Sequence, residues 1–142
     1  MDKIQVNQFE CFIGNEYISF YIDDEQIGEL LYTVGYSRDI VSEYGDSVDD
    51  FDDSIMRKFD YLKKIVNIED IFINRKQQGK KLFRDMLEAG MEILTQKYTQ
   101  FILRACSDNG FPNDKLCEIY KDAGFVPYQE TEEDGIIMYK TI

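Results

Sequence analysis

The first 36 residues carry their apolar positions in runs rich in β-branched and aromatic side chains, broken at Gly14-Asn15 and Asp23-Asp24. That pattern predicts three antiparallel strands, near Ile4–Phe12, Tyr17–Ile22 and Ile27–Tyr36. From Ser37 the pattern changes. Val48, Phe51, Ile55, Phe59 and Leu62 recur at helical spacing, with Ser47 as a cap, Asp49, Asp50, Asp52 and Asp53 in the first turns, and Lys63 and Lys64 in the last. The run from Ile65 to Asn74 is largely apolar, of strand length and bounded by polar residues, so it reads as a central strand buried on both faces. It leads into "NRKQQGKKLFRDMLEAG", residues 74–90, where a polar loop gives way to a helix whose stripe is Leu82, Met86, Leu87, Ile93 and Leu94. Gln100–Cys106 is a further strand. A helix follows with Asn113 as N-cap, an apolar face of Leu116, Ile119, Tyr120 and Ala123, and Gly124 as a left-handed C-cap. The chain ends in a hairpin turning at Asp134-Gly135. The order βββ-α-β-α-β-α-ββ predicts one α/β (α+β) domain over residues 1–142: a mixed, mostly antiparallel sheet with helices on both faces and an acidic helical insertion at 37–64.

Charge adds to this picture. Lysine and arginine number 16 against 28 acids, a net charge of −12. That argues against a general phosphate-backbone binder and suits a cationic substrate or partner, or simply solubility. The segment from Ser37 to Asp60 holds eight acids (Asp39, Glu43, Asp46, Asp49, Asp50, Asp52, Asp53 and Asp60) against Arg38, Arg57 and Lys58. There is no histidine, so histidine-based nucleophile pairs, metal ligation and acid–base chemistry are excluded. Proton transfer falls to Glu, Asp, Tyr, Lys or water. Cys11, Cys106 and Cys117 are too scattered for a disulfide framework or a zinc site. No signal-peptide pattern and no membrane-length apolar run is visible, and the expected location is the cytoplasm, with neither membrane nor nucleic acid as partner.

Three stretches, taken in order, resemble the GNAT superfamily of acyl-CoA N-acyltransferases. Ile68-Glu69-Asp70-Ile71-Phe72-Ile73 followed by the loop and Met86-Leu87 is similar to the family's central strand, its R/Q-x-x-G-x-G/A loop and its helix. "NDKLCEIYKDAGF" resembles N-x-x-A-x-x-L-Y-x-x-x-G-F, with Asn113, Tyr120, Gly124 and Phe125 in register. "YIDDEQIGELLYTV" is similar to the hairpin before the central strand. The resemblance spans roughly residues 17–142.

It implies acetyl-CoA as co-substrate, no metal, and a possible homodimer. The pantetheine arm would pair with the strand at Ile71, Phe72 and Ile73, and the pyrophosphate would sit on the loop and helix start at Gln78, Gly79, Lys80, Lys81, Leu82 and Phe83. Asn113 would hold the pantetheine and Tyr120 would be the general acid that protonates the leaving thiolate. Glu69, on the strand face of Ile71 and Ile73, is the candidate general base. Each has a plainer reading beside it: Asn113 as a helix cap, Tyr120 as a core aromatic, and Glu69 as a surface carboxylate paired to a lysine.

Two departures from the family pattern stand out. Lys81 occupies the position of the first loop glycine, and Phe83 stands where the family has Gly or Ala. The two helices usual between the first strands are replaced by a turn, so the acidic 37–64 segment would have to supply the acceptor wall. The expected function is acetyl transfer to a primary amine on a cationic small molecule or peptide. The alternative is an inactive GNAT-fold module whose acidic face contacts a basic partner, and a weaker one, resting on charge alone, is mimicry of nucleic acid.

Overall fold

The computed structural model describes residues 2–42, 55, 57–78, 81–105, 113–131 and 135–142. It is an α+β fold with a mixed eight-stranded sheet: β1 (Asp2–Val6), β2 (Phe9–Ile13), β3 (Tyr17–Ile22), β4 (Glu25–Tyr36), β5 (Lys64–Ile73), β6 (Gln100–Ala105), β7 (Val126–Thr131) and β8 (Gly135–Thr141). Their order across the sheet is β1-β2-β3-β4-β5-β6-β8-β7. The helices are α1 (Ser37–Ser42), α2 (Leu82–Leu94) and α3 (Asn113–Asp122), with a short 3₁₀ turn at Arg75–Gln77. By compactness the chain divides into two units, Met1–Thr33 with Ile68–Lys97, and Val34–Asn67 with Tyr98–Ile142.

In the first unit, β1 to β4 form an antiparallel meander. Four strands stand where the apolar runs predict three, because the first predicted strand folds back on itself at Asn7, whose φ is +53°. Asparagine enters the left-handed region at low cost, so a tight turn forms with neither glycine nor proline to announce it. The next two turns fall at their predicted places and hold Glu16, Asp23 and Asp24 at positive φ. Phe9 and Phe20 meet edge-on at 5.4 Å, and with Ile18, Leu30, Met86 and Leu87 they are fully buried. The apolar face of α2 is wider than the five-residue stripe, with Ala89, Gly90 and Met91 buried too. A Cβ on Gly90 would lie 2.6 Å from Leu30 Cδ1, so a larger residue there would require the Leu30 side chain to shift.

In the second unit, β6 pairs with β8 and β8 with β7, all antiparallel, and the terminal hairpin is present as expected. Ile40, Val41, Ile55, Phe59, Ile65, Ile102 and Ile137 make one buried cluster. The long helix expected up to Lys64 does not continue that far. Residues 57–63 are turns, and Lys64 already opens β5. Ile55 is helical, as expected, and buried; Phe59, four residues on, is buried in the same cluster from the turns that follow. The rest of the predicted helix, with Ser47 and Asp49 to Asp53, lies outside the described residues. A different short helix, α1, runs over Ser37–Ser42. Its Ile40 and Val41 are held by the core rather than by any long periodic stripe.

Candidate functional site

β5 is buried on both faces only over Ile65 to Ile68; beyond that Glu69, Asp70 and Phe72 are exposed. Its second half belongs to the first unit and is fixed there by Gly28 of β4. A Cβ at Gly28 would sit 2.0 Å from the Phe72 carbonyl oxygen and 2.7 Å from Met86 Cε, so only glycine permits this approach. The Asn74 N–H continues the pairing by donating to the Ile27 carbonyl at 2.8 Å. Phe72 and Asn74 therefore turn their backbone groups toward β4, and Ile71 and Ile73, by alternation, turn theirs the other way.

Of the three residues expected to receive a pantetheine arm, Phe72 turns its backbone to β4 instead, and on Ile71 and Ile73 the chain engages one group itself. The Ile71 N–H donates to Asp70 Oδ1 at 2.8 Å, and the Ile73 carbonyl accepts from Gln78 Nε2 at 3.3 Å. Neither Asp70 in this role nor Gln78 as a strand cap is legible in the sequence, where Gln78 reads only as the first position of the loop motif. Glu69 is exposed and accepts from Thr33 Oγ1 at 3.4 Å.

The loop after β5 is tied down on the β4 side. The Asn74 side-chain amide donates to the Gln26 carbonyl, and the buried Gln77 donates to Glu25 Oε1 at 3.3 Å. Gln78 is extended and exposed, with its N–H on the Arg75 carbonyl. Gly79 and Lys80 lie outside the described residues. Lys81 is the N-cap of α2, at φ +58° and ψ +33°. It thus keeps the left-handed backbone for which glycine is normally used, at a cost of about 1–2 kcal/mol. A lysine cap offers no acceptor to the first-turn amides, and the α2 N-terminus has no side-chain cap. Leu82 and Phe83 follow, both half-buried. Arg75, Lys76 and Lys81 are exposed, and none has an ion pair among the described residues. In a chain of net charge −12 the segment from Arg75 to Lys81 is rich in positive charge, and Lys81 stands at the helix start, although the first turn of α2 also carries Asp85.

Asn113 and Tyr120 belong to the second unit. Asn113 is the first residue of α3. Tyr120 is buried and stands edge-on to Phe125 at 5.9 Å. The Phe125 N–H donates to the Tyr120 carbonyl at 3.0 Å, the Gly124 N–H to the Lys121 carbonyl at 2.9 Å, and Gly124 has φ +98°. This is a Schellman helix end with its customary apolar contact. Lys140 adds a hydrogen bond from Nζ to the Ala123 carbonyl at 2.7 Å. The Y-x-x-x-G-F part of the motif thus forms the end of α3. Among the described residues no group of His, Cys, Asp and Glu is placed to hold a metal. No described helix is long and apolar enough to cross a membrane.

No protein-family model matches the sequence, and no curated protein matches it. Solved structures do. The chain is similar to a GNAT-family acetyltransferase from Listeria monocytogenes, at 15% identity and a TM-score of 0.54 over 89% of this chain. It is similar to arylalkylamine N-acetyltransferase 2 from Aedes aegypti, at 17% identity and a TM-score of 0.55 over 90%. It is also similar to the Bacillus subtilis N-acetyltransferase YlbP, solved with coenzyme A, at 11% and 0.51 over 90%. The chain spans 64%, 74% and 68% of those three proteins. At such identities the likeness is one of fold: the chain has the fold of the GNAT acetyltransferases.

Proposed function

We propose that the chain is an N-acetyltransferase that takes acetyl-CoA and transfers its acetyl group to a primary amine. The observation that carries this reading is the loop. Lys81 holds a glycine-like left-handed backbone at the start of α2, which has no side-chain cap, and Arg75, Lys76 and Lys81, close by in sequence, have no ion pair among the described residues. A pyrophosphate would meet backbone amides, a helix dipole and three cations there. The nucleotide would dock on residues 75–83, and the pantetheine would displace Asp70 and Gln78 from Ile71 and Ile73. Transfer needs a neutral amine, a route for its proton and a donor to the thiolate; in this reading Glu69 takes the proton and Tyr120 donates. A net charge of −12 supports a cationic acceptor, a small molecule or a peptide.

The experiment is a thermal melt with and without acetyl-CoA up to millimolar concentration. Saturation at a hundredfold excess over Kd adds about 2.7 kcal/mol, which raises Tm by roughly 5–10 °C in a domain of this size. Release of free thiol with cationic amines then reports turnover. Tyr120→Phe preserves the ring packing and lowers kcat about 100-fold with cofactor binding unchanged; unchanged kcat would remove Tyr120 from the chemistry.

A second reading, a binding module without catalysis, is favoured by the side-chain contacts already made to Ile71 and Ile73 and by Phe83 at a small-residue position. A Tm that does not move with acetyl-CoA would establish it over the first.

A further inference from the structure

The sheet of the first unit carries α2 on one face only. That helix lies on the side of Phe20, Gly28 and Leu30: a Cβ on Gly90 would meet Leu30 and Phe20, and one on Gly28 would meet Met86. Among the described residues α2 is the only α-helix of this unit. By strand alternation Phe12, Ser19, Glu29 and Thr33 turn to the opposite side. Phe12 stands across from Ser19, and Ser19 across from Glu29, so three neighbouring strands set a ring, a small hydroxyl and a carboxylate in one row. Tyr21 is edge-on to Phe12 at 5.1 Å, and the Tyr17 ring lies where a Cβ on Gly14 would stand, two residues along the same face of β2.

This face already holds one cation. Lys3 Nζ is 2.7 Å from Glu10 Oε1 and 5.6 Å over the Phe12 ring, so a carboxylate and an aromatic face grip it together. Glu29 and Glu69 lack such a partner. Ser19 Oγ donates to Glu29 at 3.2 Å and Thr33 Oγ1 to Glu69 at 3.4 Å, and among the described residues those hydroxyls are all that either carboxylate engages. Glu29 is half-buried beside the half-buried rings of Phe12, Tyr17 and Tyr21. Outside the described residues the only lysine or arginine is Lys80, in the loop before α2, so no other side chain there can neutralise the two acids.

We propose that this face docks an extended basic segment of another protein, with one lysine or arginine at Glu29 beside the rings and a second at Glu69. Glu29 and Thr33 are four residues apart on β4, about 13 Å at roughly 3.3 Å per residue. Glu69 is tied to Thr33. In an extended partner the same distance separates residues i and i+4, whose side chains share a face. The rings attract the cationic heads and cover the apolar stems of lysine and arginine. A sheet face encloses little of a small molecule but gives a chain a length to lie along. The inference stands without acetyl-CoA.

The test is a titration of the purified chain, without cofactor and at low salt, with the end-blocked peptide Lys-Thr-Val-Thr-Lys, followed by backbone amide chemical shifts. Saturable shifts are expected at Phe12, Ser19, Tyr21, Glu29, Thr33 and Glu69. This peptide should bind about fivefold more tightly than end-blocked Thr-Lys-Lys-Val-Thr, whose charges are adjacent, and about tenfold more tightly than n-butylammonium. Glu29→Gln and Glu69→Gln each weaken it about fivefold and Tyr21→Leu about threefold, whereas Glu88→Gln, at an exposed position of α2, leaves it unchanged. An equal loss from Glu88→Gln, binding unchanged in the double Glu29→Gln/Glu69→Gln variant, either control bound as tightly, or no saturable shift up to about 10 mM would each overturn the proposal.

Discussion

Gln100→Leu isolates a single anchoring side chain. Gln100 opens β6 and is only 4% exposed, and its side-chain amide accepts the Asp60 N–H and donates to the Asp60 and Lys63 carbonyls, at 3.1 and 3.3 Å, which holds both ends of that turn. Leucine nearly preserves the volume and removes one acceptor and two donors. Each buried backbone group left without a partner costs about 1–3 kcal/mol. Asp60 to Lys63 are exposed, so water reaches some of the freed groups, and the apolar replacement recovers part of the loss. The expected net destabilisation is about 2–3 kcal/mol, or a drop in Tm of roughly 7–10 °C for 142 residues. Urea unfolding with an unchanged m-value would measure it, and native-state hydrogen exchange would show the Asp60 amide losing protection. A change below about 0.5 kcal/mol, or an Asp60 amide that exchanges as slowly as before, would refute the assignment of Gln100 as the anchor.

Other substitutions probe the backbone and one buried thiol. Lys81→Gly, judged against Lys81→Ala, is expected to be more stable by about 1 kcal/mol, some 3 °C in Tm, because alanine keeps the cost of the left-handed conformation and glycine does not. Gly28→Ala places a methyl on the Phe72 carbonyl, which cannot yield without moving β5, and should cost about 2–4 kcal/mol in chemical denaturation. Burial, with the charge of Glu92 second, pushes the Cys11 thiol up from 9.0 to about 11. Its folded pKa lies above the unfolded one, so the stability it contributes is intact below pH 9 and is lost as pH rises toward 11. Over that window the native chain should lose about 2–3 kcal/mol more than Cys11→Ala in parallel urea titrations.

Where the sequence speaks through long periodic runs, it is legible: β3, β4, β6, α2, α3 and the terminal hairpin all fall where apolar pattern and turn residues place them. It is silent where one residue does an unusual thing. Asn7 makes a turn alone, and Ile40 and Val41 hold a six-residue helix through the core they enter. The helical spacing holds at Ile55, which is helical, and gives way to turns from residue 57. At the candidate site the loop and strand positions could be named in advance, because residue types and order carry them. The engagement of Ile71 by Asp70 and of Ile73 by Gln78 could not, since it depends on where backbone groups point. Tyr120, Gly124 and Phe125 were legible as a motif, but their geometry is that of a helix end, and the motif did not distinguish termination from chemistry.

Lys81 also bears on how such chains diverge. An anion reads the direction of the amides it meets and is indifferent to the side chain that set them. A lysine that enters the left-handed region leaves that direction as glycine would have left it, and it contributes a charge of the right sign. Compared residue by residue, Lys81 and Phe83 both depart from the loop motif, while Lys81 itself keeps a left-handed backbone. No family model matches this sequence, while solved structures match its fold.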